Sequence, residues 1–395
     1  MSADTEIQKP LKIPFNIPYI PERTEQYMLE ALRSAKHCGN HGWNQKCIDW
    51  LKDRYEFEEV FMVPSGTAAL EMGVMLAGVG PGDEVILPSY TFSSTATAVL
   101  LNGGTPVFCE IEPDTMNLDP TRLEEIITPR TKMIIPIDYA GIPCDVERIN
   151  EIADKHGIIV MVDAAQSLNS KSSTGKWAGS NVPLATFSFH ETKNYSCGEG
   201  GALVVNKKEW IERAHFLQEK GTDRRLVLDG VKSKYGWVDK GSSYLLSDIL
   251  AAMLFAQFEE MDSITANRGK VISAYKDVTR SFEERGCIST PKPPAGTVLN
   301  NHAYFLIFDN QENRREFIER LKTDYNVYAY IGYVALHSFK KGLEMGYKPE
   351  DLPITEDLAS RIVRLPLYAD LAHSDEQLQY AANAIQTVLS NIYPE

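Results

Sequence analysis

Long apolar runs are missing from this 395-residue sequence. No stretch of about 18 apolar residues occurs, which excludes a membrane-spanning helix. The opening residues, MSADTEIQKPLK, lack the apolar core of a secretory signal, so a cytoplasmic protein is expected. Positive charge is in deficit: 40 Lys and Arg stand against 54 Asp and Glu, a net charge of −14. That balance excludes a general nucleic-acid or anionic-membrane surface and leaves room only for a local basic patch. Cysteine is sparse. The six residues, at 38, 47, 109, 144, 197 and 287, have no CxxC spacing and read as reduced thiols. Cys38, His41 and Cys47 lack a second ligand pair, so no metal site is expected. The glycines of GVGPGD (78–83) follow a helical pattern rather than a strand, and no GKS/T follows PSGTAAL. Neither a dinucleotide fingerprint nor a P-loop is therefore present.

Alternation is what the sequence has instead. Short apolar runs at Val60–Val63, Glu84–Leu87, Pro106–Glu110, Met133–Ile137, Gly157–Val162, Ala185–Phe189 and Ala202–Val205 read as strands. Helical patterns separate several of them, among them Thr121–Ile127 and Asp145–His156. The order βαβα predicts an α/β fold with a mostly parallel sheet and helices on both faces. A long helix is expected through Tyr244–Met261 into 264–284, as a hinge to a second unit. Strand, helix and strand follow at 302–308, 312–323 and 325–331, with a terminal helix at 375–391. The expected division is a loose tail (1–14), a large domain (15–260) and a smaller C-terminal α/β domain (261–395).

The chemistry concentrates in residues 157–201. One apolar run ends in Asp163; a second ends in His190 and Lys193, with glycines at once behind. Open α/β sheets bind ligands at the C-terminal ends of their strands. A carboxylate and a lysine there suit a cofactor with one basic nitrogen and one aldehyde, as in pyridoxal 5'-phosphate (PLP). PLP needs a lysine for its aldehyde, a carboxylate for its ring nitrogen, donors for its phosphate and a flat side chain on its ring. Lys193, Asp163, Gly66 with Thr67 and Ser188, and Phe92 supply these, with Gln166 placed to reach the ring hydroxyl. Singly, each has an ordinary reading: Ser65–Thr67 as an N-cap, Phe92 as core, Asp163 as a cap, Lys193 as a solvated lysine. His190 either bonds near the cofactor or packs in the core. The basic run Lys220, Arg224, Arg225, Lys232 and Lys234 is either a seat for an anionic substrate or a solvated face.

The motifs PSGTAAL, GDEVILPSYTF, VDAAQS, FSFHETKNYSCGEGG and GSSYLLSD together resemble the DegT/StrS family of sugar-nucleotide aminotransferases. The likeness runs from about Ile13 to the C-terminus. The resemblance implies PLP-dependent fold type I, the aspartate aminotransferase-like architecture. It implies Lys193 as the Schiff-base lysine, Asp163 as the pyridinium partner, Gln166 as a ring contact and Phe92 as the stacking residue. It places Gly66, Thr67, Ala68 and Ser188 in the phosphate cup, Tyr333 and His337 toward the sugar, and the active sites at a homodimer interface. The loop KGTDRRLVLDGVKSKYGWVDKGSSYLLSD and the phrase EPDTMNLD resemble the branch that transfers an amino group from L-glutamate to C4 of a dTDP-4-keto-6-deoxyhexose. That reaction gives dTDP-4-amino-4,6-dideoxygalactose, with pyridoxamine phosphate as the half-reaction form of the cofactor. The alternatives are a different nucleotide-linked keto sugar (3-keto, or UDP- or GDP-linked) and a non-catalytic regulator on the same fold. Leu245 stands where relatives often carry a polar residue, and Gly332-Tyr333-Val334-Ala335-Leu336-His337 where many read His-Tyr-x-Pro-Leu-His.

Overall fold

The computed structural model describes residues 11–394. Seven strands form the larger sheet: β1 (Glu59–Val63), β2 (Glu84–Pro88), β3 (Thr105–Cys109), β4 (Thr131–Ile134), β5 (Ile159–Asp163), β6 (Leu184–Ser188) and β7 (Gly201–Val205). Their order is β1-β7-β6-β5-β4-β2-β3. The pairs from β3 through β6 are all parallel, as expected. The exception is β7, antiparallel to both β1 and β6. Parallel neighbours need a crossover, usually a helix. Between β6 and β7 the chain has only the loop 189–200, so β7 folds straight back and that loop is held at the strand ends.

Strand parity then decides which side chains share a face, because successive residues point to opposite sides of a sheet. Val160, Val162, Ala185 and Phe187 enter the core under the helices Gly42–Tyr55, Val146–His156 and Asp248–Glu259. Met161 and Leu184 enter the opposite core, beneath the helices Gly66–Leu76 and Ser93–Leu101. Asp163 and Ser188 have the parity of Met161 and Leu184. Both therefore belong to the face that carries the start of the helix Gly66–Leu76.

Four short strands form a second, antiparallel sheet: β8 (Ile288–Ser289), β9 (Phe305–Phe308), β10 (Tyr330–Ile331) and β11 (Ile362–Arg364), in the order β10-β11-β9-β8. One face, with Leu306, Phe308 and Val363, packs beneath the helices Met261–Glu284, Gln311–Tyr325 and Asp375–Ile392. The other, with Phe305, Ile307 and Ile362, meets Tyr90 and Tyr139 from the strand ends of the larger sheet.

Three expectations change. The continuous helix at the hinge is two helices, Asp248–Glu259 and Met261–Glu284, separated at Glu260 by a non-helical ψ of 12°. The helix expected at Thr121–Ile127 is a 3-10 turn, Pro120–Arg122, running into a short α-helix, Leu123–Ile126. Asp119 and Pro120 start that turn earlier, since the Asp119 carboxylate accepts from the Thr121 N–H. Of the loose tail expected at 1–14, residues 1–10 lie outside the described residues. Ile13, however, is fully buried and bridges to Val327, and the Leu367 N–H donates to the Phe15 carbonyl at 3.1 Å. An isoleucine placed against a core is held there by burial of its apolar surface. Among the described residues no helix is long and apolar enough to cross a membrane.

Candidate active site

The strand ends and the second sheet enclose a cavity of about 480 Å³. Its floor is a helix start. β1 ends at Val63, and Ser65 caps the helix Gly66–Leu76, its Oγ accepting from the Ala68 N–H at 3.0 Å. The free N–H groups and positive dipole end of such a turn form an anion seat. Thr67 Oγ1 lies 2.7 Å from Ser94 Oγ on the next helix. Two glycines let the backbones close in. A Cβ on Gly66 would meet the Ser188 Cβ at 2.9 Å, and one on Gly201 would meet the Ser65 carbonyl at 2.4 Å. Ala68, expected in the phosphate cup, is buried outside the cavity lining, and its N–H is already taken by the Ser65 cap.

Asp163, 5% exposed, lines the cavity from the end of β5. Its Oδ2 accepts from Thr95 Oγ1 at 3.0 Å and its Oδ1 from the Ala165 N–H at 3.2 Å. Burial still raises its carboxyl above the ordinary value, against the pull of those donors and of Lys193. Lys193, partly buried, lines the same cavity from the β6–β7 loop. Its N–H donates to the His190 carbonyl at 2.9 Å, and Asn194 Nδ2 next to it anchors to the Asn300 carbonyl at 2.7 Å. Burial lowers the Lys193 amine to about 8, with Asp163 opposing the shift and Arg364 adding to it. The carboxylate and the amine thus share one cavity, and each is disfavoured in its charged form by burial.

The walls are aromatic and amide. Phe92, 58% exposed, and Tyr333 have ring centroids 6.0 Å apart and both line the cavity. Gln166 is fixed at both ends of its amide: Oε1 accepts from the Ala140 N–H at 2.8 Å, and Nε2 donates to Tyr333 Oη at 3.0 Å. This donor set fits PLP. A buried carboxylate disfavoured by burial gains from a cationic ring nitrogen, the helix start takes a phosphate, Lys193 supplies an amine, and Phe92 presents an open ring face.

Gly66, Thr67, Phe92, Asp163, Gln166, Ser188, Lys193 and Tyr333 come together in this one cavity. His190 joins them at its rim rather than in the core, with Nδ1 3.0 Å from Thr192 Oγ1. The structure does not bring His337 there. It is fully enclosed, with Nδ1 2.7 Å from Ser89 Oγ and Nε2 3.7 Å from Glu356, and it serves as a packing residue of that turn. Arg224 and Arg225 also lie outside the cavity lining. Each pairs with a nearby carboxylate, Glu219 at 3.8 Å and Asp229 at 3.0 Å, as Lys232 does with Asp223 at 2.6 Å. Gly332 has a local cause: a Cβ there would fall 1.8 Å from Tyr90 Oη, which accepts from the Tyr333 N–H at 3.1 Å. Cys38 and His41 touch at 3.3 Å, while Cys47 is buried and donates to the Ala251 carbonyl.

Sequence reasoning missed Thr95, Phe15, Arg268, His302 and Arg364. Thr95 carries no signal beyond SSTAT, and the others come from separate places in the chain: Phe15 from the segment before the first helix, Arg268 from the helix Met261–Glu284, His302 from the loop before β9 and Arg364 from the end of β11. Arg364 had a trace: a lone cation in the apolar run IVRLPLY.

SpsC of Bacillus subtilis (strain 168), a spore coat polysaccharide biosynthesis protein, is 30% identical over 393 residues, 95% of this chain and 97% of SpsC. A pleiotropic regulatory protein of Geobacillus stearothermophilus is 33% identical over 324 residues, 81% of this chain and 82% of its own. A Streptococcus pneumoniae protein described as a sugar aminotransferase, solved in its PLP-form, superposes with a TM-score of 0.88 at 25% identity, over 97% of this chain and 100% of that one. Residues 25–386 match a single family description over nearly the whole fold that builds the cavity, and the chain belongs to the DegT/DnrJ/EryC1/StrS aminotransferase family.

Proposed function

We propose that this protein is a PLP-dependent sugar aminotransferase that moves the amino group of L-glutamate to C4 of a dTDP-4-keto-6-deoxyhexose, yielding dTDP-4-amino-4,6-dideoxygalactose and 2-oxoglutarate. The observation that carries the aminotransferase part is Lys193 and Asp163 in one cavity beside a capped helix start. The finer substrate rests on the branch-like loop 220–248 and EPDTMNLD. PLP, when bound, supplies an aldehyde that condenses with amines and a protonated ring that accepts an electron pair from the adjacent carbon.

The chain's residues do the rest. The Ser65–Thr67 turn and Ser188 would hold the phosphate, and Phe92 would cover the ring. Asp163, held by Thr95 and Ala165, keeps the ring nitrogen protonated, and a cation there favours its ionised form. Gln166 positions Tyr333 by its 3.0 Å hydrogen bond and would reach the ring hydroxyl of a bound cofactor. Lys193 holds the aldehyde at rest. Its amine, when free, would take the donor's α-proton and return a proton to the sugar carbon. A value lowered to about 8 leaves part of the free amine neutral near pH 7, as a base requires.

The partner in assembly is a second copy. The loop after Asp223 exposes Leu228, Val231, Tyr235 and Trp237, the last 83% exposed. Burying such side chains favours association. Arg224 and Arg225, remote from their own cavity lining, then serve the sugar diphosphate in the partner's. The regulator reading is favoured by one observation, the similarity to the Geobacillus stearothermophilus regulatory protein. One experiment decides: absorbance spectra of the purified protein with and without glutamate, then a panel of keto-sugar nucleotides. A visible band that glutamate bleaches, and that Lys193→Ala abolishes, supports the enzyme. A protein that carries the cofactor but aminates no keto sugar on the panel refutes it.

A further inference from the structure

His302 brings into the cavity a nitrogen that no other residue engages. It lies just before β9, is 4% exposed, and lines the cavity with Lys193 and Tyr333. Its backbone is held at both ends. The N–H donates to Asn300 Oδ1 at 3.0 Å, and the Arg268 guanidinium donates to the His302 and Asn301 carbonyls at 2.6 and 2.9 Å. Asn300 in turn donates through Nδ2 to the Gln166 and Leu168 carbonyls at 2.7 and 2.8 Å. The imidazole is thereby fixed against the strand ends of the larger sheet.

Hydrogen bonds also fix its tautomer. Asn194 Nδ2 donates to the Asn300 carbonyl at 2.7 Å, so the other end of that amide is its oxygen. The oxygen lies 2.9 Å from His302 Nδ1 and can only accept, so Nδ1 carries the hydrogen. Nε2 then holds a lone pair. Burial depresses the imidazole well below its ordinary range, and the charges of Arg364, Lys193 and Arg268 push the same way, so the ring stays neutral near pH 7. Among the described residues Nε2 has no hydrogen-bond partner, yet it is not sealed from the cavity. A buried acceptor held in one direction calls for a donor.

The chemistry of the two substrates decides which donor it is. The side chains expected around the cofactor, such as Thr67, Phe92, Asp163 and Ser188, come from the larger sheet and its helices. His302 enters from the other side, where the substrates would lie. Glutamate offers carboxylate oxygens, which only accept, and one amine, which the cofactor aldehyde takes. The keto hexose offers O–H groups. Phe15 and Tyr333 add aromatic faces to the same lining, and apolar walls with a few placed polar groups suit a ring of C–H and O–H groups. We propose that His302 Nε2 accepts a hydrogen bond from a ring hydroxyl of the keto hexose and so helps to select the second substrate. The assignment rests on the nucleotide-sugar reading above.

The test is calorimetry on the PLP-loaded protein with dTDP, dTDP-glucose, and the 2-deoxy and 3-deoxy analogues of dTDP-glucose. The ratio of the dTDP and dTDP-glucose dissociation constants reports the hexose alone. In wild type, one of the deoxy analogues is expected to bind about tenfold more weakly than dTDP-glucose, because Nε2 is left unpaired. His302→Phe keeps a flat ring without the nitrogens. It is expected to bind dTDP as wild type does and dTDP-glucose about tenfold more weakly, with no further loss on removing the hydroxyl. The ligand series on wild type stands alone should His302→Phe not fold. Wild-type affinity that depends on neither hydroxyl overturns the assignment, as does an unchanged ratio in folded His302→Phe protein, and both leave the nucleotide-sugar reading intact. A wild-type protein that binds neither dTDP nor dTDP-glucose overturns that reading, and this assignment with it.

Discussion

Replacing Gly201 by alanine tests how tightly the cavity floor is packed. Gly201 starts β7, pairing with Val63 of β1 on one side and Ser188 of β6 on the other. A Cβ there would lie 2.4 Å from the Ser65 carbonyl carbon and oxygen and 2.6 Å from the Gly66 nitrogen. These are backbone atoms of the helix start, and they cannot swing aside as a side chain can. The Ser65–Gly66 turn must move, so the seat loses register with Ser188. Overpacking of this kind costs about 1–3 kcal/mol of stability. Disturbing one charge-assisted hydrogen bond to a phosphate costs about 1.5–3 kcal/mol of binding, a weakening of about tenfold to a hundredfold in cofactor affinity. Gly198 is the control. It sits at φ +84° with nothing within 4 Å of its would-be Cβ, so Gly198→Ala strains the loop by about 1–2 kcal/mol without pushing on the seat. Titration of the cofactor-free proteins with PLP, followed by absorbance, and thermal melts separate the two. A folded Gly201→Ala protein that binds PLP as tightly as wild type would refute the packing argument.

Asp163→Asn is expected to keep the fold and slow the bleaching of the cofactor by glutamate at least a hundredfold, measured by stopped-flow absorbance. Thr95→Val removes only the 3.0 Å donor and is expected to slow it about tenfold, by the loss of one hydrogen bond to a charged group. In the cofactor-free protein, Lys193 binds its proton less tightly folded, about 8, than unfolded, near 10.5. Its contribution therefore disfavours folding below pH 8 and becomes less unfavourable as pH rises from about 8 to 10.5. Denaturation of wild type and Lys193→Met across that window should show the variant's advantage shrinking by up to about 3 kcal/mol, and a difference independent of pH contradicts it. His337→Ala is expected to destabilise the fold by about 2 kcal/mol, from the lost packing and the loss of the imidazole partner of the Ser89 hydroxyl, which keeps only the backbone N–H of residue 337, while leaving the KM for the sugar nucleotide unchanged. A raised KM in a stable protein returns His337 to the substrate.

Much of the larger sheet was legible because its signals are local. Strands that are buried on both faces read as short apolar runs, and a polar residue that ends such a run marks its C-terminal end. Asp163 and the Ser65–Gly66–Thr67 turn were visible in that way. The hinge was misread because an apolar pattern runs unbroken through Glu260 while the backbone turns there. His337 lies outside the cavity lining, and a histidine in a loop carries no local mark of such burial. Only the fold sets it under Ser89 and Glu356.

By itself the sequence determined the alternation of strands and helices, the strand ends that hold Asp163 and Ser188, and the glycines that let backbones approach. Each of these follows from period, turn chemistry and side-chain size within a few residues. The tertiary structure alone decided the rest: β7 folding back, Thr95 reaching Asp163 across 68 positions, and Arg364 entering the cavity from a second sheet. Those contacts depend on how separate elements pack together, and packing is a property of the whole chain.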